Sequence, residues 1–219
     1  MKATMRKFTY ILFAIFILYT YSCTSDYESN NVVVTPHPLA TEVGQTIFEL
    51  GGNAFDVAVA SGFALSVVEP SMSGIGGRMQ AIYFTNDSLG GIDGTTQVPS
   101  TYVHDEYDDG YKFIGVPGVV HGLIKLHESR GNLTLQQLLK PSIELASNGF
   151  ELTKGNIIRL NMAASHIRNN SKTDKYYLGE PLYQIGDTLI QKDLANVLIE
   201  ISNNGIDGFY NGWVADKIV

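Results

Sequence analysis

The chain has 219 residues, 44% of them hydrophobic and 17% charged, with a formal net charge of −7 at pH 7. That balance belongs to a globular chain able to bury a sizeable core, and excludes a disordered one. Acidic residues such as Asp105, Glu106, Asp108 and Asp109 are dispersed, and cations cluster only at Lys2, Arg6 and Lys7. Nucleic acid is thereby excluded as a partner, because phosphate binding needs massed positive charge.

Residues 1–22 read as a signal peptide, with Lys2, Arg6 and Lys7 ahead of an apolar run over 8–21. That run is too short for a bilayer core, which takes about 20 helical residues. Cys23 is the single cysteine, so no intrachain disulfide forms. Ser22-Cys23 at the end of the apolar run resembles a bacterial lipobox, in which the cysteine is acylated after cleavage. Residues 23–31 then form a polar tether, and acyl chains at about 0.8 kcal/mol per buried CH₂ hold the product on a membrane. Soluble export and an uncleaved anchor are the alternatives. On the first reading, residues 32–219 form one unit, exported and facing the periplasm or the cell exterior.

Along that unit, the β-branched run 32–34 predicts a short strand, interrupted by Pro36 and Pro38. Residues 39–50 place Leu39, Val43, Ile47 and Leu50 on one helical face, and Gly51-Gly52 end that helix. Asn53 caps a second helix over 54–68, apolar almost all round and therefore buried, with small residues that let another layer approach. Glu69-Pro70 stops it. The turn Ser73-Gly74-Ile75-Gly76-Gly77 leads to a strand over 79–84, and Asn86-Asp87 turns the chain into an antiparallel return over 89–93. Beyond a loop, 113–116 predicts another strand. Helices follow from Pro117-Gly118 to Glu128, over 135–148 with Thr134 as cap, over 156–166 and over 193–202. Residues 169–178 form a polar excursion. The order gives a layered α/β fold, helices covering a mainly antiparallel sheet.

The glycine-rich turn follows a helix and precedes a strand, the reverse of a phosphate-binding loop. It reads as a tight turn using positive φ or close backbone approach. His37, His104, His121, His127 and His166 lack paired-ligand spacing, so neither metal nor cofactor is expected.

Several motifs in order resemble one family. Pro36-His37-Pro38-Leu39-Ala40, Gly51-Gly52-Asn53-Ala54-Phe55-Asp56-Val57-Ala58, Val68-Glu69-Pro70 and Ser73-Gly74-Ile75-Gly76-Gly77 are similar to the start of the large subunit of γ-glutamyltransferases, within the N-terminal nucleophile hydrolase superfamily. Gly115-Val116-Pro117-Gly118, Lys140-Pro141-Ser142, Gly149-Phe150, Gly186-Asp187 and Gly208-Phe209-Tyr210-Asn211-Gly212 continue the resemblance. It implies an αββα fold of which this chain is an incomplete part. It also implies a longer precursor that cuts itself in two. The nucleophile is then a threonine beyond Val219, at the new N-terminus of a small subunit, with its own amine as base. No catalytic residue is assigned within this chain, and the missing small subunit is its expected partner.

The segment Asp93-Gly94-Thr95-Thr96-Gln97-Val98-Pro99 corresponds to a family stretch whose arginine grips the α-carboxylate of the γ-glutamyl donor. Thr95 stands at that arginine's position. Exchanging two charge-assisted hydrogen bonds for one neutral bond costs about 2–4 kcal/mol. Arg78 is the cation placed to compensate, the alternative being a surface or structural role. Three functions follow: a γ-glutamyl hydrolase and transferase acting on glutathione-like donors, a related acylase cleaving another amide, and a non-catalytic lipoprotein scaffold.

Overall fold

The computed structural model describes residues 31–100, 102, 114–170 and 177–218. The chain divides into two units, Met1–Val32 and Val33–Val219, and all the described helices and strands belong to the second. The signal-peptide and lipobox readings, Cys23 included, lie outside the described residues.

In chain order the elements are α1 (Pro38–Glu49), α2 (Ala54–Val68), β1 (Met79–Thr85), β2 (Ser88–Gly94), α3 (Val119–Arg130), α4 (Leu135–Asn148), β3 (Phe150–Glu151), α5 (Lys154–Asn170), β4 (Thr188–Leu189), α6 (Lys192–Asn204), α7 (Asp207–Tyr210) and α8 (Gly212–Ile218). Local chemistry sets most of these limits. The N–H of Gly52 reaches the Ile47 carbonyl at 2.9 Å and that of Gly51 the Phe48 carbonyl at 2.9 Å, with Gly51 at φ +85°, which closes α1 in a Schellman motif. A capping box of Asn53 and Asp56 opens α2, and one of Thr134 and Gln137 opens α4.

The core centres on α2, where Val59, Ala60, Phe63, Ala64, Val67 and Val68 are fully buried. Helices α1, α3 and α4 pack around it. Small residues permit this closeness: a Cβ on Gly44 of α1 would lie 2.7 Å from the Ser61 hydroxyl, and one on Gly62 would lie 2.9 Å from Leu123 of α3. Asp56 ties the N-terminus of α2 to the α3–α4 connection, accepting from the N–H groups of Asn132 at 3.0 and 3.1 Å and of Leu133 at 3.3 Å.

β1 and β2 form an antiparallel hairpin running from Thr85↔Ser88 to Met79↔Gly94. Asn86 and Asp87 both have positive φ, 50° and 55°, the geometry whose twist suits a two-residue hairpin connection. One face, with Met79, Ala81, Tyr83 and Ile92, packs on the core, and Arg130 lies over the Tyr83 ring at 5.1 Å. β3 and β4 form a second, two-residue antiparallel pair.

Several expectations need correction. Residues 32–34 form no strand, because among the described residues no segment pairs with them; Val33 instead packs at Gly44. Of the strand expected over 113–116, only the bridge Gln97↔Val116 is present among the described residues; Pro117 has no N–H to extend it, and Phe113 is not described. None of Gly74, Gly76 and Gly77 has positive φ, and of the two alternatives it is close backbone approach that the tight turn uses: Gly77 N–H donates to the Gly74 carbonyl at 3.1 Å, and a Cβ on Gly77 would lie 3.3 Å from that oxygen. α5 is longer than expected at both ends, beginning after a Thr153–Asn156 cap. The excursion expected over 169–178 lies largely outside the described residues. Among the described residues no helix is long and apolar enough to cross a membrane.

Candidate substrate-binding site

Arg78 immediately precedes Met79, and Thr95 immediately follows Gly94, the last pair of the hairpin ladder. The ladder stops there, so Arg78 and Thr95 are the first residues beyond its open end, one on each arm. Arg78 is exposed and Thr95 half-buried, while Gln80 and Asp93 within the strands face away from the core. The two residues singled out from sequence thus bound the same end of the hairpin, seventeen positions apart in the chain.

The Thr95 hydroxyl is already engaged, donating to Asp93 Oδ1, and Gln80 Nε2 donates to the same oxygen at 3.4 Å. These bonds, Thr95's first, hold the Asp93 carboxyl below its usual 3.8. Arg78 is exposed and forms no ion pair among the described residues. The open end therefore presents one guanidinium and one carboxylate.

Both arms of this end rest on the start of α3. The Gly77 carbonyl, in the peptide leading into Arg78, accepts from Gly118 at 3.0 Å and Val119 at 3.2 Å. On the other arm, a Cβ at Gly118 would fall 2.3 Å from the Gly94 carbonyl oxygen and 2.5 Å from that of Thr95, so no larger residue fits. Further along α3, a Cβ at Gly122 would fall 2.4 Å from the Met79 sulfur.

Upstream, the turn carrying Arg78 is rooted in a buried polar cluster at the end of α2. Arg159 Nη1 donates to both oxygens of Glu69, at 3.0 and 2.8 Å. Asn156 Nδ2 caps the Val68 carbonyl at 2.9 Å, and Gln191 Nε2 caps that of Val67 at 2.8 Å. His37 adjoins this cluster, buried, with Nδ1 accepting from Leu39 N–H at 3.2 Å and Nε2 unpartnered. Burial holds His37 below its usual 6.5, against an opposing pull from Glu69.

A groove of about 320 Å³ between α1 and α4, lined by Leu39, Val43, Thr46, Pro141 and Leu145 among others, includes none of the hairpin residues. The exposed hairpin face carries Ile82, Phe84 and Leu89 toward its turn, 83%, 70% and 73% exposed, and Arg78 is exposed just beyond its open end. The motifs of the sequence do not single out Gln80, Asp93 or Tyr210 as site residues. Two-residue alternation was the available signal for Gln80 and Asp93, whereas Tyr210 acts across 93 positions and leaves no local trace. Among the described residues no group of three or more His, Cys, Asp or Glu is placed to hold a metal ion.

The profile of the gamma-glutamyltranspeptidase family matches residues 40–219. The chain belongs to the gamma-glutamyltranspeptidase family. Among similar proteins, the glutathione hydrolase proenzyme of Pseudomonas sp. (strain A14) is 38% identical over 206 residues, covering 87% of this chain and 36% of its own length. The capsule biosynthesis protein CapD proenzyme of Bacillus anthracis is 37% identical over 188 residues, covering 85% and 34%. The chain thus spans about a third of the length of these curated relatives. The crystal structure of Helicobacter pylori gamma-glutamyltranspeptidase superimposes with a TM-score of 0.82 at 36% identity, covering 86% of this chain and 58% of that one. The expected N-terminal nucleophile hydrolase-type fold holds, as a partial, helix-rich domain with a small antiparallel sheet.

Proposed function

We propose that this chain is the N-terminal part of the large subunit of a γ-glutamyl hydrolase and transferase proenzyme acting on glutathione-like donors. A threonine outside the chain attacks the donor's γ-amide carbonyl, the amine leaves with a proton, and the resulting ester passes its acyl group to water or to an amino acceptor. Residues of this chain bind rather than react. The observation that carries the reading is the exposed Arg78 guanidinium, without an ion pair among the described residues, at the same end of the hairpin as Thr95, which the resemblance aligns with the family's carboxylate-binding arginine. With the Thr95 proton given to Asp93, Arg78 is the remaining strong donor there. The remainder of the proenzyme covers the exposed apolar face of the hairpin and turns the open end into a pocket. Acylated Cys23 holds the product on a membrane after export.

The Thr95–Asp93 bond favours a second reading, an acylase whose donor lacks a free carboxylate at this position. The two separate in the product of the complete reading frame, assayed on a γ-glutamyl anilide and on a 4-aminobutyryl anilide that lacks the carboxylate. On the first reading the γ-glutamyl donor is preferred, and Arg78→Ala raises its KM about tenfold or more, as loss of a charge-assisted contact does. Equal KM values before and after the substitution, or preference for the shorter donor, would overturn it.

A further inference from the structure

Tyr210 closes α7, and its hydroxyl works far from its own helix. It donates to the Pro117 carbonyl at 2.6 Å and accepts from the His121 N–H at 3.2 Å. His121 is the third residue of α3, so its N–H is one of the groups a helix start leaves unsatisfied. Pro117 and His121 flank the N-cap Gly118, which has no side chain with which to cap. One phenol oxygen therefore stitches both sides of the α3 start. Burial raises the Tyr210 pKa above its usual 10, so the hydroxyl keeps its proton at any physiological pH. That helix start in turn holds the Gly77 carbonyl with two N–H groups, and it packs against the carbonyls of Gly94 and Thr95 closely enough to exclude a methyl group.

We infer that Tyr210 is a positioning residue for the Arg78–Thr95 end of the hairpin, acting through the α3 N-terminus and the Gly77 carbonyl. The inference rests on the reading of that end as the donor-carboxylate site. Its hydroxyl is the working group. The ring packs independently, edge-on against Phe209 at 5.0 Å and His121 at 6.1 Å, so a phenylalanine keeps the packing and loses only the stitch.

The test compares Tyr210→Phe with Phe209→Leu, which trims the buried ring beside Tyr210 and leaves the hydroxyl in place. Both are made in the product of the complete reading frame. Amide hydrogen exchange over residues 77–80 and 93–96 is expected to quicken about 3- to 10-fold in Tyr210→Phe, the span of one lost hydrogen bond. KM for a γ-glutamyl anilide rises by a similar factor while kcat stays within about twofold, since the reacting atoms are untouched. Phe209→Leu lowers the melting temperature and leaves both readouts in place. Faster exchange confined to residues 117–121, or a KM rise in Phe209→Leu matching that in Tyr210→Phe, overturns the positioning role. Wild-type protein inactive on the γ-glutamyl anilide overturns the functional reading instead, and the exchange comparison then decides the positioning role alone.

Discussion

At the scale of single residues, the charges at the open end are set by who holds which proton. Thr95→Val keeps the shape of the side chain and removes the donor that Asp93 accepts from. The Asp93 pKa is expected to climb toward 3.8, read from its carboxyl carbon in a pH titration by NMR. His37 offers a second titration with a clear sign. Its native pKa lies below 6.5, so the folded chain binds fewer protons than the unfolded chain as pH drops past that value. The stability it contributes is whole above pH 6.5 and is lost as pH falls through the lower native value. Glu69, Asn156 and Arg159 are the groups facing it. His37→Asn keeps a capping acceptor and removes the titration. Urea unfolding at pH 7.5 and pH 5 should therefore show a larger loss in wild type than in His37→Asn. Equal losses would assign the acid sensitivity to other groups.

At the scale of elements, the helices that were easiest to foresee carry their limits in adjacent residues. Thr134 with Gln137, Asn53 before the buried run and Gly149 after α4 need only neighbours to do their work, and the structure ends the helices there. The hairpin was legible for the same reason, from alternation around Asn86-Asp87. What was illegible depends on partners remote in sequence. A strand at 32–34 failed for lack of a neighbour, and β3–β4 pairs residues nearly forty positions apart, each strand too short to show a period. Of the candidate site, the sequence offered Thr95 and Arg78 as proposals, whereas the bond that occupies the Thr95 hydroxyl needed three-dimensional placement. Element joints of this kind tolerate little. Gly118→Ala should cost about 2 kcal/mol by overpacking against the Gly94 and Thr95 carbonyls. Asp56→Ala should cost about 3 kcal/mol, because it strips the Asn53, Asn132 and Leu133 N–H groups of a buried carboxylate acceptor. Both are measured by denaturant unfolding, and a loss under about 1 kcal/mol in either would mean that the joint relaxes.

At the scale of the whole molecule, the hairpin has one face in the core and one face bare, and the bare face is apolar toward its turn and charged toward its open end. Ile82, Phe84 and Leu89 side by side form a patch of the kind that marks an interface. Expressed alone, residues 32–219 are expected to associate and to melt without cooperativity. Ile82→Lys combined with Phe84→Lys should raise their solubility and, in the product of the complete reading frame, block maturation. A cooperative, monomeric melt of the unsubstituted segment, seen by calorimetry with light scattering, would contradict this.

The carbonyls that finish α2 are closed by Asn156 and Gln191, which lie 88 and 124 positions later in the chain. A ribosome that has delivered the first hundred residues has therefore not yet delivered what seals the central helix. The early half of the chain lacks the two side chains that close this helix end until the late half arrives. Bonds over such separations fold slowly, because long loops must close before the contacts reward them. On the proposed export, that delay is an advantage: a chain threaded across a membrane before it folds passes more easily while its central helix is still unsealed.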